Sequence, residues 1–419
     1  MKYSTKFAVL LLTLAIGLTS VSTDTLAFAK DNSDRKTYTL SPRVGKKVAK
    51  IYDLYAADKI DEALVLALEI KPKKPYDKAY MAKFLGSMYA GQKGKGKEAI
   101  KYLQASVDAD ILSTNEHGSA IRTLADLQVQ EKLFEDAVKN YKLWMEFTGK
   151  QDPKVYIRIG VAYMELKQYQ NVIAPADKAI ELQSAKPEDS PYRLKLGAYY
   201  ENKNTKKAIE VLEVMVELFP AEAKYWAQLG QFYMLDERYE KALETMHIAY
   251  INGYLTTKSQ ILVLAQLYTN NMIPYRAAAL LEKHMKAGLI ERDERMLKLI
   301  ASSWHQAKEL KKAIKFYGEA AAIENNGELY YKQGTLAFEL ERNRDAIKAL
   351  KLALEDKKLR KPDNAMFTLA QAYFYNGQYK TALKTMRTVQ KAKTKSVAKN
   401  AGVWVKYIKD TAKRRNVTI

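Results

Sequence analysis

The stretch that decides the fold is Lys224–Tyr250, KYWAQLGQFYMLDERYEKALETMHIAY. Trp226, Leu229, Gly230 and Tyr233 fall at i, i+3, i+4 and i+7, which places them on one face of a helix. A polar break at Asp236–Arg238 follows, and Ala242, Met246 and Ala249 then mark one face of a second helix. Small residues at Gly230, Ala242 and Ala249 alternate with large ones, as two closely packed antiparallel helices require.

The pattern recurs on both sides of this stretch. Upstream it reads Leu85, Gly86 and Tyr89 with Ala99 and Leu103, then Leu124 and Ala125 with Ala137 and Tyr141. Ile159, Gly160 and Tyr163 pair with Ala176 and Ala179, and Leu196, Gly197 and Tyr200 with Ala208 and Leu212. Downstream, Leu264 and Ala265 pair with Ala277, Ile300 and Ala301 with Ala313, Gly334 and Ala337 with Ala346, and Leu369 and Ala370 with Ala382. The small position of the second helix falls at 63, 99, 137, 172, 208, 242, 277, 313, 346 and 382, in steps of 33 to 38 residues. Independent helices do not generate so regular a period.

Large residue, Leu-Gly, Tyr, Ala, bulky residue and Ala at these offsets resemble the tetratricopeptide repeat. The resemblance covers nearly all of residues 43–390 and implies an all-α, right-handed superhelical solenoid of about ten helix-turn-helix repeats. A further helix near Ser396–Arg415 opens no new pair and reads as a C-terminal cap. The expected organisation is a signal peptide at 1–29, a flexible lead-in at 30–42, the array at 43–393, and a basic capping helix and tail at 394–419.

Composition bounds the function. The 419 residues carry 47% hydrophobic and 28% charged side chains, which describe an ordered chain rather than a disordered one. A repeated aromatic position accounts for the 29 tyrosines. There is no cysteine, so disulfides, thiolate metal sites and cysteine nucleophiles are excluded. The net charge of +21 favours acidic partners and says nothing about fold.

Lys2 and Lys6 form a basic start, Phe7–Leu18 an apolar run, and Ala27-Phe28-Ala29 a small-x-small cleavage site. The expected mature chain begins at Lys30. The run is short for a membrane span, although an uncleaved anchor is the alternative. Export with a cysteine-free mature chain points to the bacterial periplasm, which makes nucleic acid an unsuitable partner.

Gly91–Glu98, GQKGKGKE, has the G-x-x-x-x-G-K spacing of a phosphate loop. Glu98 stands where Ser or Thr would hold Mg²⁺, and two helices flank the segment rather than a strand and a helix. It reads as an inter-helix turn. The four histidines, 117, 247, 284 and 305, lack metal-ligand spacing, and no hydrolase or protease motif is present. No catalytic residue, metal or cofactor is expected, and the chain reads as a non-enzyme. Between Lys384 and Arg415 there are 11 Lys/Arg against the single acid Asp410, a candidate for weak association with an anionic membrane surface or simply a solvated cap.

The tetratricopeptide resemblance also implies a groove lined by fixed offsets of each first helix. Carried onto this chain, it gives Gln231, Gln266, Arg295, Lys298, His305, Tyr331, Phe338, Phe367, Gln371 and Phe374. The large apolar groups beside Arg295 and Lys298 suit an extended peptide with an apolar side chain and an acidic neighbour; the alternative is that these aromatics pack on the next repeat or the terminal helix. The whole chain, with its Leu40–Tyr52 segment LSPRVGKKVAKIY, resembles periplasmic tetratricopeptide proteins associated with TonB-type energy transduction in gamma-proteobacteria. That implies TonB, ExbB or ExbD as partners. The alternative function is a periplasmic adaptor or chaperone-like factor for outer-membrane or cell-envelope biogenesis.

Overall fold

The computed structural model describes residues 35–184 and 186–419. Among them are 21 α-helices and no strand. They fall into two compact units that divide after Ser184. The expected signal peptide and the first residues of the expected lead-in lie outside the described residues.

The first unit holds four helix pairs: α1 (Pro42–Ala56) with α2 (Ile60–Leu68), α3 (Pro75–Ala90) with α4 (Gly96–Asp108), α5 (Thr114–Gln130) with α6 (Phe134–Thr148), and α7 (Pro153–Glu165) with α8 (Tyr169–Glu181). Of the expected lead-in, residues 35–41 lack regular secondary structure and are anchored at Arg35 and Ser41. Ser41 donates from its backbone N–H and its Oγ to the two carboxylate oxygens of Asp77, at 3.0 and 2.6 Å. Asp77 is itself buried, so these bonds meet the need of a desolvated carboxylate for donors. Arg35 reaches Asp110 Oδ1 at 2.6 Å and also donates to the Asp110 carbonyl.

The second unit holds six pairs and a last helix. The pairs are α9 (Ser190–Glu201) with α10 (Thr205–Leu218), α11 (Ala223–Leu235) with α12 (Tyr239–Ile251), α13 (Lys258–Asn270) with α14 (Pro274–Lys286), α15 (Glu294–Gln306) with α16 (Leu310–Glu324), α17 (Gly327–Glu339) with α18 (Asn343–Glu355), and α19 (Pro362–Tyr375) with α20 (Tyr379–Val389). The last helix, α21 (Lys395–Arg414), packs on α20 and α19. Ten pairs and a terminal helix are thus present, as the period predicts.

The periodic small residues are the core of every pair. Ala63, Ala99, Ala137, Val172, Ala208, Ala242, Ala277, Ala313, Ala346 and Ala382 are all fully buried. The first helix answers with its own small residue. A Cβ added at Gly86, Gly230 or Gly334 would fall 2.5–2.7 Å from Leu103, Met246 or Leu350 on the paired helix.

Every pair turns in the same way. In all ten, the residue two positions before the second helix has positive φ; glycine fills this place only at Gly94 and Gly377, and the other eight residues have φ of 56–62°. The turn after α11 shows the mechanics: Arg238 N–H donates to Tyr233 O at 2.8 Å and Glu237 N–H to Met234 O at 3.1 Å. These two bonds satisfy the last carbonyls of the helix and require a left-handed residue between its end and the next start. Proline at the first helical turn then opens α1, α3, α7, α9, α14 and α19, where its missing N–H has no intrahelical partner to lose.

The aromatic position late in the first helix links neighbouring repeats. Tyr233 OH donates to Glu213 at 2.5 Å, Tyr268 OH lies 2.6 Å from His247 Nδ1, and Trp304 Nε1 donates to Glu282 at 3.2 Å. In each case the ring is buried and its polar tip meets the second helix of the preceding repeat. Burial and the Glu213 bond raise the Tyr233 hydroxyl pKa above its ordinary value, so it stays a donor.

Candidate functional site

The expected groove residues lie on the first helices of the second unit. On α11, Gln231 is exposed, with Lys224 one end away on the same helix. Lys224 is engaged, with Asp189 at 3.5 Å, Glu222 at 3.4 Å, and the Tyr225 ring at 4.7 Å. On α13, Gln266 is exposed; on α15, Arg295 and Lys298 are exposed and His305 is half-buried, its ring meeting Tyr317 edge-on at 6.2 Å.

The structure brings three of these residues together. Gln266, Arg295 and Lys298 border a cleft of about 510 Å³ between α13 and α15, whose floor includes Leu262 and Leu299. Ser302 adds a hydroxyl to the wall. Neither Arg295 nor Lys298 has a hydrogen-bond or ion-pair partner among the described residues. Two unpaired cations one helical turn apart thus stand over an apolar floor. Leu299, 40% exposed, is the residue the offset rule misses, because it lies between two groove offsets. An exposed leucine on a first helix, four residues after Arg295, is the signal that could have found it.

Gln231 belongs to a separate cleft of about 600 Å³ between α9 and α11, lined by Tyr200, Phe232 and Leu235 with Arg193. Here both cations are paired, because Arg193 and Lys224 lie 3.6 and 3.5 Å from Asp189. The two clefts differ, then, in whether their cations are free.

Farther along, α17 places Tyr331 and Phe338 half-buried. The Phe338 ring lies 5.9 Å from that of Tyr375. On α19, Gln371 and Phe367 are half-buried and Phe374 is buried. The outward-facing position expected of Phe374 is corrected by α21, whose Trp404 and Tyr407 lie 5.7 and 5.3 Å from its ring. Tyr379 closes a third side at 5.4 Å. Trp404 also meets Phe367 edge-on at 6.4 Å. The last repeat has no successor to bury its apolar edge, so the terminal helix performs that task. The aromatic floor is therefore largely structural at α19.

The other sequence features fall as follows. Gly91–Lys95 joins α3 to α4, with helix on both sides and Gly94 at φ +80°. His284 Nε2 lies 3.1 Å from Tyr250 OH, and burial, then the charge of Lys283, lowers its pKa. Among the described residues no group of three or more His, Cys, Asp or Glu is placed to hold a metal ion. Among the same residues no helix is long and apolar enough to cross a membrane.

Helix pairs of this geometry, packed in series with a terminal helix, define a tetratricopeptide-type array. The tetratricopeptide repeat family matches two segments, residues 153–186 and 331–397, so the chain carries such repeats. A tetratricopeptide repeat protein from Parabacteroides merdae is similar to it at 14% identity over 62% of this chain and 98% of that one, with a TM-score of 0.36. MamA from Desulfovibrio magneticus is similar at 19% identity over 42% and 96%, TM-score 0.34. The TPR2AB domain of yeast Sti1 in its pHSP90 complex is similar at 15% identity over 63% and 100%, TM-score 0.37. Comparison with curated proteins finds no match.

Proposed function

We propose that this chain is a periplasmic protein-interaction scaffold, and that the cleft between α13 and α15 receives an extended, acidic segment of its partner. The observation that carries the reading is the pair Arg295 and Lys298, exposed and unpaired above Leu262 and Leu299. Cations without an internal partner gain from an incoming carboxylate, and the apolar floor accommodates a neighbouring side chain. Repeat arrays supply an extended, rigid surface for such a segment.

The partner we propose is a component of a TonB-ExbB-ExbD energy-transduction system, with the chain acting as an accessory to uptake through outer-membrane receptors. This rests on the whole-chain sequence resemblance and on the export signal read at residues 1–29. The test is capture from envelope extracts by the intact protein and by the Arg295→Glu/Lys298→Glu variant. Recovery of TonB, ExbB or ExbD by the intact protein and its loss with the variant supports the proposal. Equal recovery by both proteins removes the cleft as the site, and recovery of none of the three removes the TonB assignment.

A second reading is an adaptor or chaperone-like factor for envelope biogenesis. It is favoured by the α9–α11 cleft, where Tyr200 and Leu235 are 57% and 65% exposed and the lining cations Arg193 and Lys224 are both paired. Such a surface suits apolar stretches of unfolded chains. Under this reading the same capture recovers porins or assembly machinery and is insensitive to the Arg295 and Lys298 changes.

A further inference from the structure

A dense run of unneutralised positive charge lies on the terminal helices, away from the α13–α15 cleft. On α20, Lys380, Lys384 and Arg387 follow i, i+4 and i+7, and all three are exposed, as is Lys391 in the turn that follows. On α21, Lys395, Lys399, Lys406 and Lys413 follow i, i+4, i+11 and i+18, again all exposed. Both series stay on one face of their helix. Lys409 flanks the second series, and Asp410 is the single acid from residue 380 to residue 415. None of Lys395, Lys399, Lys406, Lys409 and Lys413 has an ion pair or hydrogen-bond partner among the described residues.

A charge run that served only to solvate the end of the array would not need apolar groups among the lysines. This one has them: Val403 is 67% exposed and Tyr407 46% exposed. Val403 lies between Lys399 and Lys406 on the outer face. Tyr407 packs its ring against Phe374 and Trp404 and keeps the remainder exposed, the amphipathic placement that suits a headgroup boundary. The inner face of α21 is already occupied, with Ala401, Ile408 and Ala412 buried against the array. The helix is therefore presented with a fixed orientation, its cations and exposed apolar groups outward.

We infer that the outer face of α21, supported by the lysine series of α20, is a docking surface for an anionic phospholipid bilayer. Charge complementarity selects the occupant: a sheet of phosphate headgroups accepts a row of unpaired lysines in any register. It also offers an apolar boundary to Val403 and Tyr407. Each lysine near such a surface contributes about 1 kcal/mol, roughly fivefold in partitioning. The contact is electrostatic and peripheral. This inference is independent of the cleft and of the partner proposed for it.

The test is co-sedimentation of the full chain with phosphatidylcholine vesicles, with and without phosphatidylglycerol, at low and high salt. Binding is expected only with phosphatidylglycerol, and it falls steeply at high salt because exposed charges are screened. Lys399→Glu/Lys406→Glu/Lys413→Glu should reduce binding by roughly a hundredfold or more. Its thermal unfolding should stay close to that of the parent, since the three lysines are exposed and have no ion pair or hydrogen bond among the described residues. Val403→Asp is a second, uncharged-to-acidic probe of the same face and should also weaken binding. Equal binding to both vesicle types, no binding to either, or full binding by the triple variant overturns the inference. Absence of vesicle binding alongside salt-sensitive binding of an acidic polypeptide such as polyglutamate would assign the face to an acidic protein instead, and overturns it equally.

Discussion

Gly334 of α17 lies so close to Leu350 of α18 that a Cβ at residue 334 would fall 2.7 Å from Leu350 Cγ and 3.2 Å from its backbone nitrogen. The same relation joins Gly86 to Leu103, with Cγ at 2.6 Å and the backbone nitrogen at 3.1 Å. Gly230 differs, because its near neighbours are Cγ and Sδ of the unbranched Met246 at 2.5 and 2.7 Å. Overpacking typically costs about 1–3 kcal/mol, against which alanine returns ~1 kcal/mol of helix propensity. Gly86→Ala and Gly334→Ala should therefore destabilise by up to about 2 kcal/mol, as the helices must separate. Gly230→Ala should be near neutral, since methionine can move aside. Chemical denaturation of the three variants tests the order; a Gly334→Ala protein more stable than the parent would refute the close approach.

Met272 holds the left-handed position of the α13–α14 turn with φ +60°, and its side chain is 87% exposed. Left-handed backbone costs a non-glycine residue roughly 1–2 kcal/mol, partly offset in a glycine by its greater unfolded-state entropy. Met272→Gly should raise stability by about 0.5–1 kcal/mol. No contact is lost, so the gain is one of backbone alone. A lowered melting temperature would show that the Met272 side chain contributes more than its exposure indicates.

Much of this architecture was legible from the sequence, and the physical reason is redundancy. Ten copies of one packing problem expose the required residue at each offset: the series from Ala63 to Ala382, alanine at nine positions and valine at 172, is buried throughout because the paired helices approach closely there. The left-handed turn residue was not legible. Eight different positions carry Asp, Lys, Glu or Met there, so no residue type marks it. Arg295 and Lys298 were placed in a groove by offset, whereas Leu299 beneath them obeys no offset. The fate of Phe374 was hidden because the rule treats each repeat alike, and the last repeat meets α21 instead of a successor. The division after Ser184 left no mark either, since the step from Val172 to Ala208 is an ordinary one.

His117 on α5 is buried, with Nε2 3.1 Å from Asp110 Oδ1 and the ring 4.7 Å from that of Phe147. Burial, then the nearby charge of Arg35, lowers its pKa below the ordinary 6.5; Asp110 opposes this more weakly. Below about pH 6.5 the unfolded chain takes up a proton that the folded chain resists, so stability is full above that pH and declines as pH falls through this window. His117→Phe keeps an aromatic ring against Phe147 and removes the titration. Its unfolding free energy should fall less steeply than that of the parent from pH 7 to 5. Identical slopes would assign the acid sensitivity elsewhere, with His284, also lowered by burial, the next to replace.

Phe374 and Arg295 separate folding from binding. Phe374 is enclosed by Trp404, Tyr407 and Tyr379, so Phe374→Ala removes a buried ring and leaves a cavity under α21. The expected loss is roughly 3–5 kcal/mol, with Trp404→Ala showing a related destabilisation through the same cluster. Arg295 is exposed and unpaired, and Arg295→Glu should change stability by less than about 0.5 kcal/mol. Urea unfolding distinguishes the two. Weakened partner binding by Phe374→Ala then says only that the C-terminal repeats have loosened. The same effect in Arg295→Glu, with its unfolding curve unchanged, locates the loss in the α13–α15 cleft. A stable Phe374→Ala protein would mean that α21 leaves the aromatic edge of α19 open in solution, and would return that residue to the binding surface.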